Sequence, residues 1–158
     1  YNAMTEDYPR AKSFCRAGLA AGPCLFKDTM QLSAFYRNQF FLGQSAMLVN
    51  EGLPNFLVSQ LEKKVGSLKN KKVALLGMTF KANNDDIRES LSFKIKKELE
   101  FKLAEVLPSD PYLKETYKLE DALAECDAVI LGVPHKEYLN LKIYKPYVDC
   151  WNVWKNER

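Results

Sequence analysis

Two short apolar runs limit this chain's fold more than any other feature: Val73-Ala74-Leu75-Leu76-Gly77 and Ala128-Val129-Ile130-Leu131-Gly132. A strand with one wet face alternates apolar and polar residues, so a run without alternation is expected to be covered on both faces, as in parallel sheets. Helical patterns separate such runs. Ser90 is placed to cap a helix in which Leu91, Ile95, Leu99 and Leu103 recur about once per turn. A short strand at 105–107, a helix at 119–125, a helix or turn at 136–141 and a last strand at 147–149 continue the alternation. This succession predicts an α/β fold with right-handed crossovers and a small doubly wound parallel sheet. Ligands bind such sheets at the carboxyl ends of the strands, which gathers the segments after Gly77, Leu107, Gly132 and Asp149 around one crevice.

The first 66 residues carry a different pattern. Residues 1–12 are polar and read as mostly helical up to Pro9, and the small-residue stretch Ala17-Gly18-Leu19-Ala20-Ala21-Gly22-Pro23 reads as a loop. That loop delivers Cys24 to the start of a helix over 25–38. A second helix is expected over 43–64, with Leu53, Leu57, Leu61 and Val65 in one stripe and a kink or break at Pro54. An apolar helix of this length needs a covering surface, and with no large domain upstream the pattern predicts a homodimer through the 43–65 helix. Residues 66–70 read as a linker, dividing the chain into a helical segment, 1–66, and a sheet domain, 71–158.

Composition excludes several classes of function. The 23 basic and 20 acidic residues of the 158-residue chain are interspersed, so no basic face for nucleic acid is expected. Cys15, Cys24, Cys126 and Cys150 form no CxxC pair and have only His135 to join them, so no metal site is expected. A chain with a sizeable core needs no disulfide staples, and free thiols point to the cytoplasm. No run nears the roughly 20 apolar residues of a membrane span, so no membrane partner is expected. The chain opens Tyr1-Asn2-Ala3-Met4 without an initiator methionine, which reads as part of a longer protein.

Two segments carry chemistry. In Gly22-Pro23-Cys24-Leu25-Phe26-Lys27-Asp28, the helix dipole and Lys27 both favour a thiolate at Cys24, and Asp28 follows one turn later, where a carboxylate can orient or deprotonate water. Residue spacing alone leaves Cys24 as either a nucleophile or a small buried filler. The second segment, Gly77-Met78-Thr79-Phe80-Lys81-Ala82-Asn83-Asn84-Asp85-Asp86-Ile87-Arg88-Glu89-Ser90, leaves a strand, offers a ring and two cations, and enters a helix whose N-terminus suits a phosphate. On composition alone it is equally an ordinary polar loop. A GxGxxG dinucleotide turn occurs nowhere in the chain. His135 follows a strand end and faces the crevice in a structural or supporting role; Trp151 and Trp154 are expected to pack the sheet against helices, with Trp151 alternatively bordering a ligand.

These segments resemble the nucleotide-sugar 6-dehydrogenases of the UDP-glucose/GDP-mannose dehydrogenase family. GPCLFKD is similar to their GGxCxxKD active-site loop, and VALLGMTFKANNDDIRES is similar to the opening of their C-terminal domain. Ser109-Asp110-Pro111-Tyr112, the stretch from Leu119 to Pro134, and Val148-Asp149 keep the family's order, so the resemblance spans essentially the whole chain. It implies a Rossmann-like domain that binds a UDP-sugar or related nucleotide sugar, and NAD as cofactor, with the main NAD domain absent from this chain. It further implies oxidation of a sugar C6 alcohol to a uronic acid in polysaccharide precursor synthesis. Cys24 would carry the covalent thiohemiacetal and thioester and Asp28 would assist water; Phe80 and Lys81 would hold the sugar nucleotide, and Lys27 and Arg88 would lie near the cofactor. Arg10 resembles an arginine offered to a neighbouring subunit's substrate, in a loop about two residues shorter than the family's.

Two positions depart from the pattern. Ala21 replaces the first loop glycine, and Cys150-Trp151-Asn152 stands where UDP-glucose enzymes typically show a glycine and a substrate-reaching arginine. The second departure argues against a plain UDP-glucose enzyme and leaves a UDP-N-acetylhexosamine or another nucleotide sugar open. From a different class, the alternative is a non-catalytic nucleotide-sugar-binding or assembly module. A metal or redox protein using the cysteines is a third reading, and it requires copurifying metal.

Overall fold

The computed structural model describes residues 1–14 and 16–154. Its sheet contains β1 (Lys72–Leu76), β2 (Glu105–Ser109), β3 (Ala128–Leu131) and β4 (Tyr147–Asp149), all parallel and ordered β2-β1-β3-β4. From β1 the chain runs through α4 (Ser92–Phe101) to β2, then back through α5 (Leu119–Glu125) to β3 on the other side of β1. The strand order therefore reverses between β1 and β3, the switch point at whose carboxyl ends a ligand crevice is expected. Val73 and Leu75 join Ile95, Leu99 and Ile130 on one face, while Ala74 and Leu76 join Leu107, Ala122 and Leu131 on the other. Both faces are dry, which is the physical reason the two runs lack polar alternation. Pro108 is accommodated because β2 is an edge strand.

Ahead of the sheet come α1 (Asn2–Thr5), a 3-10 turn (Pro9–Ser13), α2 (Leu25–Phe35) and α3 (Phe41–Val65). Several boundaries differ from the sequence pattern. Residues 1–12 give a single α turn and a 3-10 turn that starts at Pro9, where the fixed φ suits a first helical position. Helix α2 stops at Phe35 rather than 38 because Arg37 and Asn38 adopt left-handed backbone, and the Asn38 amide turns back to the Ser33 carbonyl at 2.8 Å. Pro54 ends nothing: α3 is assigned as one helix of 25 residues, with Pro54 itself buried. Ser90 lies two residues before α4; its Oγ accepts the Ser92 amide at 3.3 Å and donates to the Thr79 carbonyl at 2.9 Å.

Leu57, Val58 and Leu61 of α3 belong to the same core as Val73, Leu75 and Ile130. The chain's own sheet thus covers the C-terminal half of a helix that the sequence assigned to a partner. Its N-terminal half stays open, with Phe41, Leu42, Leu48 and Val49 exposed. Among the described residues no helix is long and apolar enough to cross a membrane.

Candidate functional site

Three contacts hold the 17–23 loop, two to rings that follow β1 and β4 and one to α3. A Cβ at Gly22, where φ is +124°, would stand 3.1 Å from Phe80 Cδ2, and one at Gly18 would fall 2.2 Å from Trp151 Cε3. The backbone can approach two aromatic rings this closely only where no side chain intervenes. Phe80 comes from the end of β1, and Trp151, just past β4, donates from its indole to the Gly132 carbonyl at 3.1 Å. The third contact comes from α3, where Asn50 accepts the Ala20 amide at 3.0 Å and donates to the Ala20 carbonyl at 2.6 Å. A loop held in this way satisfies both backbone polar groups of its central residue, Ala20.

Cys24 emerges from this loop as the residue before α2, exposed, with its carbonyl already accepting the Asp28 amide at 2.8 Å. Lys27 and Asp28 pair with each other at 3.3 Å in open solvent, a geometry that adds little stability. Arg88 is oriented by Asp86, whose carboxylate takes its Nε at 3.0 Å and its Nη2 at 2.7 Å. That fork holds the Asp86 carboxyl below its ordinary range. Arg88 grips its proton more firmly through the Asp86 hydrogen bond and charge, and the Asp86 carbonyl in turn accepts the Phe80 amide at 2.9 Å. Lys81 Nζ lies 5.3 Å from the Phe80 ring centroid, a cation-π contact on the turn that meets Gly22. The structure thus brings Cys24, Phe80, Lys81 and Arg88 to one edge. Arg10 stands apart, exposed, its side chain forming no hydrogen bond or ion pair with a described residue. Arg16 instead stacks over Tyr1 at 4.5 Å and lines a cleft of about 370 Å³ with Trp151 and Asn152. A larger cleft, about 460 Å³, lies beyond the end of β2 between Ser109, Lys118 and Tyr138.

Beneath the Phe80 turn is a buried polar network that the motifs do not announce. Asp110, at the end of β2, accepts the Met78 amide at 2.6 Å, the Thr79 amide at 3.2 Å and the Tyr112 amide at 2.9 Å, and its Oδ2 lies 3.0 Å from His135 Nε2. Burial pushes this carboxyl up, but the His135 and amide hydrogen bonds outweigh it and hold Asp110 below its ordinary value. Motif reading passed over Asn50, which carried no sequence sign; Asp110 stood in the Ser109-Asp110-Pro111-Tyr112 stretch but was given no role there. Of the other described thiols, burial pushes Cys150 up to about 12, aided by Asp149, and raises Cys126 as well. Cys15 lies outside the described residues. Among the described residues no three His, Cys, Asp or Glu side chains gather as a metal set.

The chain is similar in sequence and fold to known proteins. The chain is 30% identical to the UDP-N-acetyl-D-mannosamine dehydrogenase of Campylobacter jejuni over 93% of its own length and 39% of that protein's. It is 33% identical to a UDP-glucose 6-dehydrogenase of Haloferax volcanii over 82% of its length and 33% of that protein's. The solved UDP-D-ManNAc dehydrogenase of Pyrococcus horikoshii superposes with a TM-score of 0.83 at 25% identity, covering 98% of this chain and 41% of that one. The chain accordingly spans about 40% of the length of such relatives. Residues 74–156, more than half of the sequence, match the UDP binding domain of the UDP-glucose/GDP-mannose dehydrogenase family, and the chain belongs to that family.

Proposed function

We propose that this chain is the active-site-loop and sugar-nucleotide part of an NAD-dependent nucleotide-sugar 6-dehydrogenase. Residues 1–66 form its active-site and dimerisation segment, and residues 71–158 form its nucleotide-sugar-binding domain. The observation that carries the proposal is an exposed thiol at the start of α2 whose loop rests on the Phe80 ring at the sheet's switch point. Phe80 and Lys81 hold the nucleotide sugar. Cys24, exposed at the start of α2, adds to the C6 aldehyde to give a thiohemiacetal, and water assisted by Asp28 cleaves the thioester that follows its oxidation. NAD, when bound, would supply the hydride acceptor. Arg88, exposed and held by Asp86, fits the border of an anionic cofactor, with Lys27 in the first turn of α2. Arg10 is assigned to a neighbouring subunit's substrate, and the open half of α3 to a homodimer contact.

Trp151, standing where an arginine would meet a glucose-type substrate, favours a UDP-N-acetylhexosamine. Uronic acid formation for polysaccharide precursors in the cytoplasm completes the reading. Calorimetric titration with UDP, UDP-N-acetylhexosamines, UDP-glucose and GDP-mannose tests it. Binding of UDP compounds in preference to GDP-mannose is expected, and absence of binding by all of them overturns the assignment. Lys81→Ala is expected to weaken UDP by about tenfold to a hundredfold. In the longer protein Cys24→Ala abolishes acid formation while nucleotide binding persists. If that longer protein binds UDP-sugars yet never reduces NAD+, the non-catalytic binding module takes its place.

A further inference from the structure

His135 is the one histidine of the chain, is wholly buried, and takes no part in the chemistry proposed above. Its ring joins the ends of a single turn. The Asn83 amide donates to Nδ1 at 2.9 Å, so that nitrogen carries no proton and the proton of the neutral ring sits on Nε2. Nε2 lies 3.0 Å from Asp110 Oδ2 and 3.2 Å from Thr79 Oγ1. The Thr79 hydroxyl donates to the Lys81 carbonyl at 3.0 Å, leaving its lone pairs towards the imidazole. One ring thus touches Thr79 and Asn83, and Phe80, Lys81 and Ala82 are the residues it brackets.

We propose that His135, locked by Asp110 in the Nε2-protonated form, is a positioning residue that presents Phe80 and Lys81 to the nucleotide sugar. The inference rests on the assignment of those two residues to the ligand. The direction of every bond in the network supports it. Asp110 takes the amides of Met78 and Thr79 at the start of the turn and the Nε2 proton, and the bare Nδ1 takes the amide of Asn83 at its end. Asn83 has left-handed backbone, φ 57°, and its side-chain oxygen accepts the Lys136 amide at 3.1 Å, tying the turn back to the segment after β3. Tyr112 and Tyr138 pack on the imidazole with centroids 5.0 and 5.6 Å away and exclude water from it. Reversing the tautomer would set two donors face to face at Asn83 and leave Asp110 facing a lone pair, so one protonation state alone satisfies the turn.

Two substitutions separate the ring's two jobs. In His135→Asn the side-chain oxygen overlies Nδ1 and still accepts the Asn83 amide; in His135→Gln the terminal nitrogen overlies Nε2 and still donates to Asp110. His135→Asn is expected to bind UDP within about threefold of the parent, whereas His135→Gln loses at least about tenfold at a similar melting temperature. Equal binding by parent and both variants, or losses that merely track melting temperature, overturns the proposal. Nitrogen-15 spectra of the unsubstituted chain need no variant: they are expected to show Nε2 protonated and Nδ1 bare, with slow hydrogen exchange at the Asn83 amide. A proton on Nδ1 refutes the positioning role outright. Should the parent bind no nucleotide, the ligand assignment fails, and the spectra still decide whether His135 fixes the turn.

Discussion

Leu57, Val58 and Leu61 in the C-terminal half of α3 are sealed against the sheet, whereas Phe41, Leu42, Leu48 and Val49 in its N-terminal half face solvent, Leu42 at 80% exposure. Both halves are rich in apolar residues and belong to one continuous helix. What separates them is whether a complementary surface of the same chain lies opposite. The contrast teaches that an apolar helix reports a need for cover without naming what supplies it. Here the sheet supplies half of it.

Substitutions in the two halves put the contrast at risk. Leu61→Ala, at 0% exposure, is expected to destabilise the chain by about 2–5 kcal/mol in urea unfolding, and Leu48→Ala in dilute solution by no more than about 0.5 kcal/mol. Equal losses would show that the open half is as well covered as the closed one. Asp110→Asn is expected to lose about 1–3 kcal/mol, because the amides of Met78, Thr79 and Tyr112 and the His135 ring converge on that carboxylate.

The same residue sets a pH dependence. The native state holds the Asp110 carboxyl below its ordinary value, so its contribution to stability is complete above the unfolded value of about 3.9 and is lost as pH falls through the lower native one. Melting temperature followed from neutral pH to below pH 4 is expected to drop less steeply in Asp110→Asn than in the parent. An identical acid limb in both would remove Asp110 from the account.

Smaller effects probe the seam between the regions. Asn50→Ala is expected to release the 17–23 loop at about 1–2 kcal/mol, read as faster alkylation of Cys24 in a Cys15→Ser background, with little change in the sheet's hydrogen-exchange protection. Val49→Lys is expected to leave the dilute chain's stability within about 0.5 kcal/mol while shifting sedimentation equilibrium towards monomer. A monomeric parent at every concentration would remove the dimer contact instead.

Much of the sheet was legible because its signals are local. The runs that became β1 and β3 lack alternation, and the spans of α5 and β4 match their patterns residue for residue. The candidate site was legible in part, since Cys24, Phe80, Lys81 and Arg88 sit in two continuous motifs that the fold brings to one edge. Other features escaped the pattern. The end of α2 depended on left-handed backbone at Arg37 and Asn38, and the persistence of α3 through Pro54 came with burial of that residue among packed neighbours. Asn50 serves Ala20 from thirty residues away, and Asp110 meets His135 across twenty-five, so no windowed periodicity reports either pair.

By itself the sequence determined the alternation of strands and helices, the dryness of the central strands and the position of a thiol before a helix, because each follows from residue chemistry within one or two turns of chain. Tertiary structure decided which half of α3 is covered, that Gly18 and Gly22 rest on Trp151 and Phe80, and which nitrogen of His135 bears the proton. Those outcomes depend on groups far apart in the chain meeting at a few ångströms, where sterics and hydrogen-bond direction leave a single arrangement.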